Sequence, residues 1–343
     1  MKTPSSFAEV EDYLFTQLPF YQNQGKKAFK PGLERIEALL KANDNPEKQL
    51  KCIHVAGTNG KGTVVHQLAA VLQNAGYKVG LFTSPHFLSI RERIKINGES
   101  ISESDFVNLY HSIILPDDVK PSFFEYLTLF GFKYFEEQKV DVAIIEVGMG
   151  GRLDSTNVCK PILSLVTGVA LDHCEYLGNT LEAIAIEKAG IVKEGVPLLF
   201  GPLKASAKAA VEKHYPAMEL RFDEDVLENK SNSRLVARAI EQLKNDFSKL
   251  SISDIEYALT NYESITQFWG RYQKKTVEGK PLLLDVAHNA QALQYLFERV
   301  EKEKYEKVHV LFSASSDKDV SDLKQFLPKK CQLYLTESSV LRS

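Results

Sequence analysis

The chain of 343 residues carries 42 Lys and Arg against 45 Asp and Glu, a net charge of −3, and its length suits two domains. That balance, with no basic block, excludes a large electrostatic footprint for nucleic acid. No apolar run is long enough to span a bilayer, residues 1–21 lack an apolar signal-like core, and Cys52, Cys159, Cys174 and Cys331 lie far apart without CxxC spacing, so the expectation is a cytoplasmic protein with no membrane partner, disulfide framework or zinc site.

In chain order, Cys52-Ile53-His54-Val55-Ala56 reads as a buried strand that runs into a glycine-rich turn, Gly57-Thr58-Asn59-Gly60-Lys61-Gly62-Thr63. In such a turn the backbone N–H groups and the start of the following helix face a polyphosphate, Lys61 adds a positive charge, and the Thr63 hydroxyl can ligate Mg²⁺. A strict G-x-x-x-x-G-K-[ST] motif would need glycine where Val55 stands and a hydroxyl residue where Gly62 stands, so an ordinary glycine-rich strand–helix turn stays open as the alternative. Val64, Leu68, Val71, Leu72 and Ala75 fall on one face of the helix, and Gly76 is placed to end it.

Downstream, apolar runs at 79–83, 140–147, 162–166 and 196–200 predict strands, with helices near 104–114, 123–138, 181–189 and 204–214. Consecutively apolar strands separated by helices indicate a largely parallel sheet covered on both faces, with ligands bound at the carboxyl ends of the strands. Helices at 233–247 and 253–261 precede a change of character near 267, followed by a strand at 281–286, a helix at 289–302 and a strand at 308–313. The predicted domains are therefore 1–265 and 266–343, the second with about three strands.

The 140–147 strand delivers Glu146 to a turn containing Gly148, Gly150 and Gly151, where a hard carboxylate suits Mg²⁺ and the glycines allow close backbone approach; a strand-end acid facing water is the alternative. Asp172-His173 follows the 162–166 strand, and Lys188 stands near the end of the 181–189 helix. Taken singly, a structural histidine and a solvated lysine are the ordinary readings. Arg271, in Phe268-Trp269-Gly270-Arg271-Tyr272-Gln273, offers a fork for phosphate or carboxylate, against the alternative of a linker with an aromatic plug. Asp285-Val286-Ala287-His288-Asn289 ends the first strand of the second domain.

The ordered set GTNGKGT, TSPH (83–86), RERIKINGE (91–99), EVGMGGRLDSTN (146–157), ALDHCEYLGNT (170–180), EKAGIVK (187–193), WGRYQ and LDVAHN strongly resembles the folylpolyglutamate synthase/dihydrofolate synthase family of the Mur ligase group, from about residue 25 to 319. The family's phosphate turn has the G-T-N-G-K-G-[ST] form, which accounts for Gly62. The resemblance implies an α/β protein, with a P-loop parallel-sheet ATPase domain followed by a smaller Rossmann-like α/β domain. It also implies a monomer acting on small molecules. The implied activity is ATP-dependent amide ligation: ATP phosphorylates the carboxylate of dihydropteroate or of a folate glutamyl chain, and the amine of L-glutamate displaces the phosphate. The group-transfer problem is one of neutralising moving phosphoryl charge.

Carried over by motif, Lys61 and the backbone of Gly57, Thr58, Asn59, Gly60 and Gly62 would hold the phosphates. Thr63, Ser84 and Glu146 would serve one Mg²⁺, His173 would ligate a second, and Lys188 matches a lysine carbamylated in the family. Phe124, Glu125 and Asp154 match the pterin and acceptor side, and Arg271, Asp285 and His288 match the second domain's share of the nucleotide site. Relatives continue beyond Ser315-Ser316-Asp317-Lys318-Asp319 for several more elements, so the second domain is expected to be shortened. The TSPH and RERIKINGE segments favour folate chemistry over a Mur-type peptidoglycan precursor ligase. A catalytically degenerate nucleotide-binding homologue is the alternative of another class.

Overall fold

The structure, a computed structural model, describes residues 4–19, 32–223, 231–313 and 323–336. The Ser315–Asp319 motif lies outside them. The chain forms two compact units, Met1–Phe268 and Trp269–Ser343; the change of character in the sequence predicts the break near 266.

In the first unit, β1 (Cys52–Ala56) and β5 (Val142–Glu146) are buried at every position. Their apolar residues divide cleanly by parity. Cys52, Ala143 and Ile145 enter one core, while Ile53, Val55, Val142 and Ile144 enter the other, because successive side chains of a strand point to opposite faces. Beside β5 lies β2 (Val79–Phe82), then β3 (Ile94–Ile96) and β4 (Glu99–Ser100); beyond β1 lie β6 (Pro161–Val166), β7 (Leu198–Phe200) and β8 (Leu220–Arg221). The order is β4-β3-β2-β5-β1-β6-β7-β8. The strands from β2 to β8 in that order pair in parallel, whereas β3 and β4 add an antiparallel hairpin at one edge.

The helix Phe123–Glu137 covers one face with Phe123, Phe130 and Phe135. It lies close to the sheet through a reciprocal fit: a Cβ on Gly80 would come within 2.8 Å of the Phe135 ring, and one on Gly131 within 2.7 Å of Phe82. The other face is covered by the helices Lys61–Asn74, Ser231–Leu243 and Ile252–Ile265. Register aligns the carboxyl ends that matter: Val55 stands opposite Glu146, Ala56 opposite Val166, and Phe82 opposite Ile145.

The second unit, taken by itself, pairs β9 (Gln273–Val277) with β10 (Lys280–Leu284) in antiparallel fashion, and β11 (Val308–Phe312) with β12 (Cys331–Leu335) in parallel. The helix Ala290–Lys302 supplies Leu293 and Phe297 to a small core with Val310, Phe312, Phe326 and Leu333. The strand predicted at 281–286 ends at Leu284 because the Asp285 carboxylate turns back, accepting from the Tyr272 N–H at 2.7 Å and the Ala287 N–H at 2.8 Å.

A strand-end site with converging lysines

The turn after β1 is built by the backbone freedom of two glycines. Gly57 (φ +150°) and Gly60 (φ +86°) occupy conformations that L side chains rarely adopt, and a Cβ on Gly57 would fall 1.9 Å from Thr167 Oγ1. Gly60 then caps the helix Lys61–Asn74 without any side-chain bond, leaving a bare helix N-terminus of the kind that receives anions. The loop is tied to the strand end next to it. The Thr58 N–H donates to the Gly168 carbonyl at 2.9 Å, Thr58 Oγ1 accepts from the Ala170 N–H at 3.1 Å, and Thr167 Oγ1 donates to the Asn59 carbonyl at 2.6 Å.

Two ammonium groups share one acceptor. Lys61 Nζ donates to the Gly57 carbonyl at 3.0 Å, and Lys188 Nζ donates to the same oxygen at 3.1 Å. Lys188 is 4% exposed. Burial, reinforced by repulsion from Lys61 and only partly offset by Asp172 and Asp154, lowers its pKa to about 7.

Glu146, also 4% exposed, lies at the end of β5 beside β1, and its Oε2 accepts from the Ser84 N–H at 3.2 Å. Ser84 follows β2, so Ser84, Glu146 and the turn after β1 are contributed by three neighbouring strand ends. Behind them stands the buried Arg93, whose Nε donates to His86 Nδ1 at 2.7 Å. Burial lowers the Arg93 pKa to about 10 against the opposing pull of Glu146 and Glu92. Burial and Arg93 together hold His86 to about 4, neutral and able to accept that bond. Sequence reasoning misses Arg93 because it sits in a charged run, RERIK, that gives no sign of being buried. It also misses Thr167, and Asn232, whose amide would lie 2.7 Å from a Cβ on Gly60.

His173 adopts a left-handed conformation (φ +50°, ψ +39°) at the head of the short helix Cys174–Leu177, and its N–H donates to Asp172 Oδ1 at 2.9 Å. Three expected site residues are committed elsewhere. The Glu125 carboxylate, 2% exposed, closes a capping box with Ser122 and pairs with Arg35 at 3.0 Å. Asp154, 7% exposed, accepts from the Met149 and Thr156 N–H groups at 2.9 and 3.0 Å and from Thr156 Oγ1 at 2.5 Å; it positions the turn after Glu146, and burial raises its pKa against those bonds. Asp285 is committed to the Tyr272 and Ala287 N–H groups. Phe124 packs over Gly148, where a Cβ would meet its ring at 2.6 Å. In the second unit Arg271 is half-buried and His288 Nδ1 lies 3.0 Å from the Val286 carbonyl.

Known proteins share this architecture. Residues 55–200 match the Mur ligase middle domain. A dihydrofolate synthase/folylpolyglutamate synthase of Bacillus subtilis is 33% identical over 341 residues, covering 87% of this chain and 79% of the relative. Among solved structures, E. coli FolC in complex with DHPP and ADP superposes with a TM-score of 0.81 at 29% identity, covering 97% of this chain and 84% of that one. A bifunctional folylpolyglutamate synthase/dihydrofolate synthase with Mn, AMPPNP and L-glutamate bound gives a TM-score of 0.82 at 29% identity, with 99% and 86% covered. With a relative one-third identical over most of both chains and a fold shared over nearly its whole length, the chain belongs to the folylpolyglutamate synthase/dihydrofolate synthase family.

Proposed function

We propose that this chain is an ATP-dependent ligase that joins L-glutamate, through its amine, to the carboxylate of a pteroate or folate, releasing ADP and phosphate. The observation that carries the proposal is the convergence of Lys61, Lys188 and the Gly57 turn at the end of β1 with Glu146 at the adjoining end of β5. Family relatives captured with ADP and DHPP, and with AMPPNP, Mn and L-glutamate, support the same substrates here.

The donors available suit a hard divalent cation. Thr63, Ser84 and Glu146 offer only oxygen, and among the described residues no group of three His, Cys, Asp or Glu is arranged to hold a metal. That pattern fits Mg²⁺ held by one or two protein oxygens, with phosphate and water completing the shell. In the proposal Thr63, Ser84 and Glu146 serve one ion and His173 a second. Mg²⁺ supplies charge neutralisation for the phosphoryl group.

The chain's own groups do the rest. Lys61 already makes its bonds to turn carbonyls at 3.0 and 3.4 Å, so it can exchange them for phosphate oxygens with little movement. The helix N-terminus and turn N–H groups hold the transferring phosphate in line. Lys188, with a pKa near 7, is about half neutral amine at pH 7, the form that adds CO₂ to give a carbamate and a proton. A carbamate there would replace repulsion from Lys61 by attraction and add oxygen donors. The proposal also assigns Arg271 and His288 to nucleotide binding, with Asp285 holding their loops. Asp154 and Glu125 act as positioning residues, while Phe124 keeps a place on the acceptor side.

The test is an end-point assay with Mg-ATP, L-glutamate and either dihydropteroate or tetrahydrofolate. ADP should appear in step with a new amide for at least one acceptor. ATP binding with no turnover on either would instead identify a degenerate nucleotide-binding homologue.

A further inference from the structure

The RERIKINGE segment is singled out by sequence yet has no part in the chemistry above, and its contacts explain it. Its residues form the β3–β4 hairpin, and three of them grip the place where the chain leaves the first unit. Lys95, a lysine only 5% exposed, donates from Nζ to the Thr266 and Gln267 carbonyls, both at 3.0 Å. Gln267 Nε2 donates to Glu99 Oε1 at 2.7 Å. Gly98 is pressed so close that a Cβ would meet the Ile265 carbonyl at 2.3 Å.

From the other side, the helix that begins at the phosphate turn grips the same segment. Thr266 Oγ1 donates to the Tyr262 carbonyl at 2.6 Å, so its contact with His66 Nδ1 at 2.7 Å is donated by the ring N–H. The His66 ring stacks on Phe268, with centroids 4.2 Å apart and planes at 29°. The Phe268 ring in turn lies over Gly62, 3.5 Å from where a Cβ would stand. Phe268 is the last residue of the first unit, and Arg271 follows it by three positions.

A buried ammonium spent on two carbonyls is a costly way to fix a turn, since lysine must leave water to do it. Such a fixture is warranted where the place at which the chain leaves the unit matters. We infer that Lys95, with His66 and Phe268, is a positioning device for the ligation reaction. It fixes the last residues of the first unit, Thr266 to Phe268, and keys them to Gly62 of the turn after β1. The inference rests on the ligase function proposed above. Lys95 touches no reacting atom; it acts through the chain it holds, so its loss falls more heavily on turnover than on nucleotide affinity, to which the intact turn still contributes.

The experiment compares Lys95→Met with Lys78→Met in the full chain. Lys78 serves as the control, because its Nζ likewise donates to a backbone carbonyl, that of Gln138, at the amino end of β2, the end of the parallel strands opposite the turn after β1. Lys95→Met is expected to lower kcat for ADP release about tenfold or more, as small displacements of positioned groups do. Its Kd for Mg-ADP is expected to rise by clearly less than kcat falls, because the turn itself is left intact, while Lys78→Met stays within about twofold of wild type in Kd and keeps full kcat. Should Lys95→Met not fold, Phe268→Leu, which leaves the lysine in place but removes the stacked ring, is expected to show the same split. An unchanged kcat, or an equal loss of turnover and Mg-ADP affinity, overturns the positioning role. A wild-type chain that releases no ADP with either folate acceptor overturns the ligase proposal, and this role with it.

Discussion

Two glycine turns stand side by side at the carboxyl ends of β1 and β5, and they are wired with opposite charge. At the first, protein donors take the carbonyls: Lys61 and Lys188 at Gly57, and Thr167 at Asn59. At the second, a carboxylate takes an N–H, that of Met149, through Asp154. Engaging these carbonyls leaves the loop's N–H groups, other than that of Thr58, which donates to Gly168, to whatever fills the cleft, which favours an anion. Engaging an N–H beside a buried acid such as Glu146 makes the neighbouring region electronegative, which favours a cation. Glycine content alone does not separate the two; the side chains that tie each loop down do.

The largest effect should come from breaking the first turn. Lys61→Ala removes the ammonium from the proposed phosphate site and is expected to cut ADP release by on the order of 10²–10³, the usual penalty for losing a charged transition-state partner. Steady-state coupled assays at saturating Mg-ATP measure it. Turnover persisting within tenfold of wild type would mean that the anion lies elsewhere.

Lys188 gives the next effect, read as stability against pH. Burial and Lys61 hold its pKa near 7, below the ordinary 10.5. Below pH 7 both folded and unfolded chains carry the proton, and the folded state bears the full penalty. Between about pH 7 and 10.5 the unfolded chain binds the proton and the folded chain does not, so this group makes stability rise with pH, by up to about 1.4 kcal/mol per unit. Lys188→Met deletes that contribution while Lys61 still satisfies the Gly57 carbonyl. Urea unfolding in CO₂-free buffer at pH 7, 8 and 9 should therefore show the variant's advantage over wild type shrinking as pH rises. A constant difference would show that the amine is not depressed.

The β1 turn was legible in sequence because an apolar run broken only by His54 met glycines and a lysine within a few residues, although an ordinary glycine-rich turn stays open as the alternative until the other motifs are set beside it. The helix Phe7–Gln17 was missed although Ser6 and Glu9 form a capping box, and Ser122 with Glu125 repeats that signature. Attention to it would have assigned Glu125 to the helix start. The β3–β4 hairpin carried no such mark, since strands of three and two residues are too short for alternation to register. The burial of Lys95 and Arg93 was beyond sequence for a related reason. Both depend on carbonyls or rings brought from distant segments, which no local pattern records.

The second turn offers the smallest effect and separates its wiring from its chemistry. Asp154→Asn keeps an oxygen for the Met149 N–H but loses charge at a site where three donors converge on one carboxylate, and the amide brings hydrogens facing those donors. A destabilisation of about 1–3 kcal/mol is expected, typical of spoiling buried hydrogen bonds, and calorimetry would register it as a lower Tm. If Asp154 only holds the loop, kcat should fall modestly and KM for the pteroate acceptor should stay near wild type. A large rise in that KM at unchanged Tm would return Asp154 to the acceptor side and make the acidic turn a binding surface. The two neighbouring turns would then differ in ligand as well as in charge.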